Sequence, residues 1–218
     1  YEIVASGADA LVDILSRRSV DILVNCIGVL QDSARGKTDA VHGDFVADLL
    51  AALSSRPNPA LLIHLSVPGR KDEDPTPFSR SKREAERLIS QSPVPFVILR
   101  PGFVIAPAAY GGGALIRALA ALPIALPSEA AGSPFATIDI ADISQTIAIL
   151  ARKWGDGERQ WSESWDVMER QPSSVGDVID AFRSHFGGPK PVIPLPSWPM
   201  AIGAKAGDLS AFLGWMPP

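Results

Sequence analysis

The chain has 218 residues, of which 46% are hydrophobic, and a formal net charge of −4. This length and apolar content suffice for one full-sized core with a small lobe attached. The absence of a basic run argues against a nucleic-acid partner. A single cysteine, Cys26, excludes a disulfide framework and fits a reducing, cytoplasmic compartment.

The two ends of the sequence suggest a piece of a longer chain. Tyr1 is not a natural initiator, and no signal peptide is visible. The longest apolar run, at residues 118–126, is too short to span a bilayer. We therefore expect truncation, and a membrane tether only outside this fragment.

Strand and helix patterns alternate through the first hundred residues. Apolar runs bounded by polar residues predict buried strands at residues 20–26, 60–66 and 95–99. Apolar or charged residues at helical spacing predict helices over residues 8–18, 38–53 and 78–90. This rhythm predicts right-handed βαβ units in a doubly wound, parallel α/β sheet.

Beyond Arg100 proline and glycine become frequent, and the pattern predicts a smaller lobe. Its first expected helix begins at Gly111-Gly112-Gly113, and two more are expected over residues 139–154 and 174–186. Gly187-Gly188 is expected to end the last of them. Short strands are expected at residues 164–168 and 191–195, followed by a last segment at 198–213. We predict a partial nucleotide-binding domain over residues 1–110 and a lobe over residues 111–218, interleaved with the last sheet elements, that covers a cofactor cleft.

Polar or glycine residues follow each of the three predicted strands. Asn25 and Gly28 lie at the end of the first, His64 and Ser66 at the end of the second, and Arg100-Pro101-Gly102 at the end of the third. In open parallel sheets the ligand lies outside the carboxyl ends of the strands. All three strand ends should therefore line one crevice.

Five segments resemble the extended and atypical short-chain dehydrogenase/reductases. They are residues 24–31, 62–66, 78–86, 98–104 and 137–143, in the family's order and spacing. The resemblance extends to members related to the NAD(P)H-binding accessory subunit of respiratory complex I and to NAD-dependent epimerase/dehydratases. The resemblance implies a Rossmann-like doubly wound parallel sheet, incomplete at its N-terminus, with a small C-terminal α/β lobe and with NAD or NADP as cofactor.

Two departures from the family pattern bear on function. The family's glycine-rich phosphate loop has no counterpart in residues 1–18, which fits truncation. Phe78 stands where the family has its catalytic tyrosine, four residues before Lys82. A phenol can donate a proton to a substrate carbonyl, whereas a benzene ring cannot.

The resemblance assigns a role to each remaining site residue. Lys82 would bind the hydroxyls of the nicotinamide ribose, and Ser66 stands where the family has its substrate-polarising hydroxyl. Asn25 and Gly28 would flank the adenine-side ribose and phosphates, and Pro101 with Gly102 would contact the nicotinamide end. Ser66 and Lys82 are thus the predicted catalytic residues, and no metal site is predicted.

Each of these side chains also has a simpler explanation. Lys82 could be a solvated lysine, Ser66 a strand cap, and Arg100 and His64 structural residues. Tyr110 could replace the missing acid, but a surface loop position explains it as well. Cys26 is interpreted as a buried small apolar residue, and Asp139 and Asp142 as helix caps. His42 and His185 show no metal-ligand spacing.

The sequence thus leaves three functions open. The first is a non-standard NAD(P)-dependent oxidoreductase that lacks the catalytic tyrosine and acts on an unknown small molecule. The second is a non-enzymatic NAD(P)-binding module, either a redox sensor or an assembly or stabilising subunit. The third is a sugar-nucleotide epimerase or reductase. Fold-level analogy alone does not choose between them.

Overall fold

The computed structural model describes residues 3–4, 6–29, 40–69 and 76–196. The helices are α1 (Gly7–Ser16), α2 (Phe45–Ser54), α3 (Pro77–Ser90), α4 (Gly112–Ala121), α5 (Ser128–Ala131), α6 (Ile140–Gly155) and α7 (Val175–Phe186). The strands are β1 (Ile22–Asn25), β2 (Leu61–Leu65), β3 (Phe96–Pro101), β4 (Phe103–Ile105), β5 (Ile124–Ala125), β6 (Pro134–Phe135), β7 (Thr137–Asp139), β8 (Ser162–Val167), β9 (Ser173–Ser174) and β10 (Ile193–Pro194). A π-helical turn, Ala40–Asp44, precedes α2. The predicted segment at 198–213 lies outside the described residues.

The chain divides into two compact units. The first comprises Tyr1–Pro101 and Ser144–Val167, and the second comprises Gly102–Ile143 and Met168–Pro218. Residues 144–167, which lie beyond the predicted boundary at residue 110, therefore belong to the first unit.

A parallel sheet with the strand order β1-β2-β3-β8 forms the centre of the first unit. Its register pairs Asn25 with His64 and Leu65 with Leu99, so the carboxyl ends of β1, β2 and β3 lie side by side. The predicted parallel sheet is confirmed, and each predicted strand is found within a few residues of its expected position.

Side chains that alternate along the strands build a core on each face of this sheet. Leu62 and Ile98 pack on one face in a cluster with apolar residues of α1, α2 and α3. Leu61, Ile63, Val97 and Leu99 pack on the other face against Leu150 and Trp154 of α6. Successive side chains of a strand point to opposite faces, so helices cover both sides of the sheet.

Strand β1 is less buried than its apolar sequence predicts. It pairs with β2 alone among the described strands, and Val24 is 38% exposed. The expectation of a strand covered on both faces therefore holds only in part for β1: Leu23 packs against the core on one face and Ile22 against the core on the other, but Val24 stays exposed.

The second unit packs α4 against α7 around a smaller core of Ile116, Ala120, Val178 and Ile179. Its strands form short pairs, β4 with β7 and β5 with β10 in parallel, and β6 with β9 antiparallel. A reciprocal cap between Ser174 and Asp177 begins α7, and Gly187, with a φ of +65°, ends it as predicted. The predicted cap at Asp139 is also found, since its Oδ1 accepts from the Ala141 N–H at 2.7 Å.

None of the helices in the described part of the chain has both the length and the apolar character needed to cross a bilayer.

Candidate functional site

The ammonium group of Lys82 lies at the carboxyl ends of β1 and β2. Its Nζ donates to the carbonyl of Ile27 at 3.0 Å and to the carbonyl of Leu65 at 2.9 Å. Helix α3 positions it, beginning at Pro77 after a capping box between Thr76 and Ser79. The residue is only 4% exposed, so the alternative of a solvated lysine is wrong. Within the described part of the chain these two carbonyls are its hydrogen-bond partners, which leaves one of its three N–H donors for another acceptor.

Burial also tunes the proton affinity of this lysine. Desolvation lowers the pKa of Lys82 to about 8, while Cys26 and Glu86 act in the opposite direction. Below that pH the site holds a fixed positive charge beside two strand ends. Such a charge favours an acceptor or an anion at the sheet edge.

His42, on the π-helical turn, joins the segment after β1 to α3. Its Nε2 accepts from the Val29 N–H at 3.1 Å, and its Nδ1 lies 2.8 Å from Ser81 Oγ. Because Nε2 accepts, the neutral ring carries its proton on Nδ1 and donates it to Ser81. Ser81 Oγ in turn donates to the Phe78 carbonyl at 3.0 Å. The Phe78 ring meets the His42 ring edge-on, with centroids 5.5 Å apart.

Asn25 and His64 form a second buried pair across β1 and β2. Asn25 Oδ1 accepts from the Ile27 N–H, and its Nδ2 donates to His64 Nδ1 at 3.1 Å. His64 then carries its proton on Nε2, which has no hydrogen-bond partner among the described residues, and neither has Ser66 Oγ. His64 is a packed histidine, as expected, and the strand ends retain two unpartnered buried polar atoms.

The two buried histidines should make the protein acid-sensitive. Desolvation, reinforced by Lys82, lowers the pKa of His42 to about 4, and the same causes together with His42 lower that of His64 to about 3. An unfolded chain binds these protons near pH 6.5, whereas the folded protein does not. Stability is therefore full above about pH 6.5 and is lost progressively towards pH 4, by at most about 1.4 kcal/mol per pH unit for each histidine.

Urea unfolding between pH 7.5 and pH 5 checks this expectation. His64→Gln should reduce the slope by about half, because one of the two titrating groups is removed. His185→Gln, which changes an exposed histidine of α7, serves as the control. A stability that is flat from pH 7.5 to pH 5 in the unmodified protein would contradict the buried neutral state of both rings.

An ion cluster fixes α3 to the strand ends. Arg100 donates to both carboxylate oxygens of Glu86, at 2.9 and 2.8 Å, and Arg83 donates to Glu86 at 2.9 Å. Arg83 also holds the carbonyls of Pro68 and Gly69. Burial opposes ionisation of Glu86, but the hydrogen bonds from Arg100, the nearby Ser66 hydroxyl and the charges of Arg100 and Arg83 outweigh it and lower its pKa. Arg100 is thus structural, as expected.

The structure brings most of the predicted site residues together. Gly28 lies so close to Lys82 that a Cβ added to it would be 3.4 Å from Lys82 Nζ. Ser66 follows the carbonyl that holds Lys82, and its N–H donates to Leu99 at 2.8 Å on β3, the strand that ends at Pro101. Asn25 is close as well, with its polar atoms bonded within the protein. The cofactor contacts assigned to these residues stay predictions.

Gly102 has a packing role within the second unit. A Cβ added there would lie 2.5 Å from the Ala136 carbonyl oxygen and 3.0 Å from Met168 Cβ. The close approach of backbone to backbone therefore requires glycine at this position, with or without a ligand. Its predicted contact with the nicotinamide end stays a prediction.

Cys26 differs from its prediction. It is exposed, not buried, and it follows β1, which pairs with β2 alone among the strands that the structure describes. It also has a basic neighbour, since the charge of Lys82 acts on it: desolvation raises the pKa of the Cys26 thiol, and Lys82 opposes that rise.

Sequence reasoning missed the roles of His42 and Ser81. His42 contacts Ser81 across 39 residues of sequence, and no short-range pattern marks such a pair. The contact between Arg83 and Glu86, by contrast, could have been predicted, because residues three apart on a helix are neighbours.

The second unit contains a cavity of about 540 Å³. Three carboxylates line it, those of Asp139, Glu169 and Asp177. Among the described residues none of the three forms an ion pair. Thr137 donates to Glu169 at 2.7 Å, and Phe182 forms part of the apolar wall. Tyr110, in the same unit, is 76% exposed, as a surface loop residue should be.

No protein-family model matches the sequence, and no curated protein matches it. Solved structures do. The Bordetella bronchiseptica enzyme WbmF in complex with NAD+ has 15% identity and a TM-score of 0.69, over 90% of this chain and 66% of that one. The Thermotoga maritima UDP-glucose 4-epimerase with UDP-glucose has 14% identity and a TM-score of 0.68, over 90% and 71%. RMD from Pseudomonas aeruginosa, complexed with NADPH, has 16% identity and a TM-score of 0.67, over 90% and 75%.

These similarities confirm the predicted fold class. The chain has the Rossmann-like α/β fold of these enzymes and spans about two thirds to three quarters of their length. At this level of identity the comparison establishes the fold alone.

Proposed function

We propose that the protein binds a nicotinamide dinucleotide, NAD or NADP, and is an atypical short-chain dehydrogenase/reductase, a non-standard oxidoreductase that lacks the catalytic tyrosine. The observation that carries this proposal is the buried ammonium of Lys82, held at the carboxyl ends of β1 and β2 with one donor to spare. In a doubly wound sheet this edge is where ligands bind. Solved structures of the same fold are complexes with NAD+ and NADPH, which supports the choice of ligand.

The residues at the strand ends fit such a cofactor. Lys82 would donate its remaining N–H to a hydroxyl of the nicotinamide ribose. Gly28 leaves room for a close approach, since a Cβ there would be 3.3 Å from His42 Nε2 and 3.4 Å from Lys82 Nζ. Ser66 Oγ and His64 Nε2 are buried polar atoms without a partner in the described part of the chain, as ligand-binding atoms often are before binding. Asn25, Pro101 and Gly102 complete the predicted contacts.

Reduction of a carbonyl needs a hydride and a proton, and the residues of the site would have to position the source of each. A bound nicotinamide supplies or accepts the hydride. Lys82 would orient it and contribute positive charge where negative charge develops on the substrate oxygen. Phe78 has no proton to give, so another group at the strand ends would have to supply it, and we assign this role to the Ser66 hydroxyl or a water beside it. Tyr110 is less suitable, since its side chain is exposed in the second unit.

A non-enzymatic NAD(P)-binding module is the second candidate. Phe78 and the double anchoring of Lys82 on backbone carbonyls favour it, because both would persist in a protein selected only for binding. Turnover of NADPH and NADH with a panel of aldehydes and ketones separates the two candidates.

A sugar-nucleotide epimerase or reductase is the third candidate, favoured by the similarity to a UDP-glucose 4-epimerase fold. The cavity of the second unit argues against seating a diphosphate within it, because Asp139, Glu169 and Asp177 would repel the phosphates. Calorimetry with UDP-glucose tests this candidate.

Replacing Lys82 with methionine tests the proposed binding site. Calorimetry with NAD, NADH, NADP and NADPH should show about ten- to one-hundred-fold weaker binding for Lys82→Met, since one hydrogen bond from a charged group is worth about 1.5–3 kcal/mol. Lys153→Met, on an exposed lysine of α6, is the matched control and should bind like the unmodified protein. Equal affinity of Lys82→Met and the control would remove Lys82 from the site.

A further inference from the structure

Two side chains hold the backbone that follows β1 from either side. The Ile27 carbonyl accepts from Lys82 Nζ at 3.0 Å, and two residues later the Val29 N–H donates to His42 Nε2 at 3.1 Å. Gly28 lies between these bonds, close to both His42 Nε2 and Lys82 Nζ. The place of the Ile27 carbonyl therefore depends on His42 as well as on β1.

The other nitrogen of His42 is bonded in a different direction. Nδ1 donates to Ser81 Oγ, which ties the π-helical turn to α3 and leaves the segment after β1 untouched. Of the two bonds of the ring, only the Nε2 bond reaches the segment that carries the Ile27 carbonyl, one of the two carbonyls that Lys82 uses. The two ring nitrogens of His42 therefore bind different segments, Nε2 the segment after β1 and Nδ1 helix α3.

We propose that His42 is a positioning residue for Lys82: through the Nε2 bond to Val29 it fixes the Ile27 carbonyl, and so determines where the ammonium presents its remaining N–H. The consequence for cofactor affinity rests on the proposed function, whereas the position of Lys82 does not. His42 itself touches neither the cofactor nor the substrate in this proposal.

The pKa of Lys82 depends on its burial and on the charged groups around it, so a change in the position of the ammonium should change that pKa. Cys26 faces it from the end of β1, His64 from β2, His42 from the π-helical turn and Glu86 from its own helix. Both histidines are neutral near pH 7, because burial has lowered the pKa of each to about 4 and about 3. A neutral amide in place of His42 therefore leaves the charge around Lys82 unchanged.

Two amide variants separate the two bonds of the ring. In His42→Gln the longer amide can accept from the Val29 N–H, as Nε2 does. In His42→Asn the shorter amide can donate to Ser81, as Nδ1 does, but it does not reach Val29. Val29→Pro removes the same bond from the other partner, since proline has no N–H.

The experiment is a pH titration of Lys82 by NMR in protein with carbon-labelled lysine, without any cofactor. In the unmodified protein the Lys82 side chain should titrate with a pKa of about 8. In His42→Gln and in the control His185→Gln, the pKa of Lys82 should be the same as in the unmodified protein. His42→Asn and Val29→Pro should titrate higher by about one pH unit or more, because an ammonium released towards water loses the desolvation that lowers its pKa. Nicotinamide dinucleotide should bind about tenfold more weakly to these two variants than to His42→Gln.

An unchanged Lys82 midpoint in folded His42→Asn, or an equal rise in His42→Gln, would overturn the proposal. If His42→Asn does not fold, Val29→Pro tests the same bond, and in the unmodified protein the Val29 amide must be protected from hydrogen exchange. Rapid exchange there overturns the proposal without any variant. If no variant binds a dinucleotide, the proposed function fails, while the Lys82 midpoints still decide the role of His42.

Discussion

Phe78→Tyr is expected to give the protein measurable carbonyl reductase activity with NADPH or NADH. Lys82 is in place one turn along the same helix, and Ser66 is in place at the end of β2. The variant supplies the phenol that the resemblance expects at this position. General acid catalysis contributes about 10²–10⁴-fold, so activity should rise by that order over the unmodified protein.

The surroundings of Phe78 tolerate this change. Its ring is half-buried and meets His42 edge-on at 5.5 Å, and its carbonyl, not its ring, accepts from Ser81. The added hydroxyl should therefore alter the thermal midpoint little. Phe78→Leu controls for the loss of the ring, and Phe78→Tyr combined with Lys82→Met should show no gain. A lowered midpoint without turnover would defeat the oxidoreductase proposal and favour a binding module.

Glu86→Gln is expected to destabilise the protein by about 3–5 kcal/mol, the cost of breaking a buried ion pair by removing one partner. The variant leaves Arg83 buried, and among the described acidic residues it leaves Arg100 with Asp166, at 3.9 Å. The loop at Pro68 and Gly69, which Arg83 holds, should loosen with it.

The same helix offers the control for Glu86. Glu84 forms an ion pair with Arg87 in which both side chains are about half exposed, at 49% and 45%. Exposed pairs contribute about 0–1 kcal/mol, so Glu84→Gln should be nearly neutral in urea unfolding. Equal unfolding midpoints for the two variants would show that the cluster around Glu86 does not stabilise the fold.

Local patterns in the sequence were sufficient for the sheet and the helices. Continuous apolar runs predicted that β2 and β3 are buried on both faces, and Leu62 and Leu61 do pack on opposite sides of the sheet. Gly187 located the end of α7 and Asp139 the start of α6, since such signals act within a few residues. The exposure of Val24 and Cys26 was not predictable in this way, because it depends on which strand lies next to β1.

The sequence predicted which residues of the candidate site lie together, but not the hydrogen bonds between them. Asn25, Ser66 and Lys82 were expected at one edge of the sheet, and they lie there. The partners of Lys82 are 55 and 17 residues away in sequence, and those of His42 are 13 and 39 residues away. Contacts at such separations are set by the packing of the whole sheet, which leaves no local pattern to read.

Binding of a nicotinamide dinucleotide by the protein is the most direct test of the proposed function. Calorimetry should be run with NAD, NADH, NADP and NADPH, at pH 7 and again at pH 9.5. At least one of the four should bind at pH 7, and its affinity should fall at the higher pH, because the pKa of Lys82 is lowered to about 8 and the ammonium is lost. No heat of binding with any of the four at millimolar ligand would contradict the assignment of this sheet edge as a cofactor site.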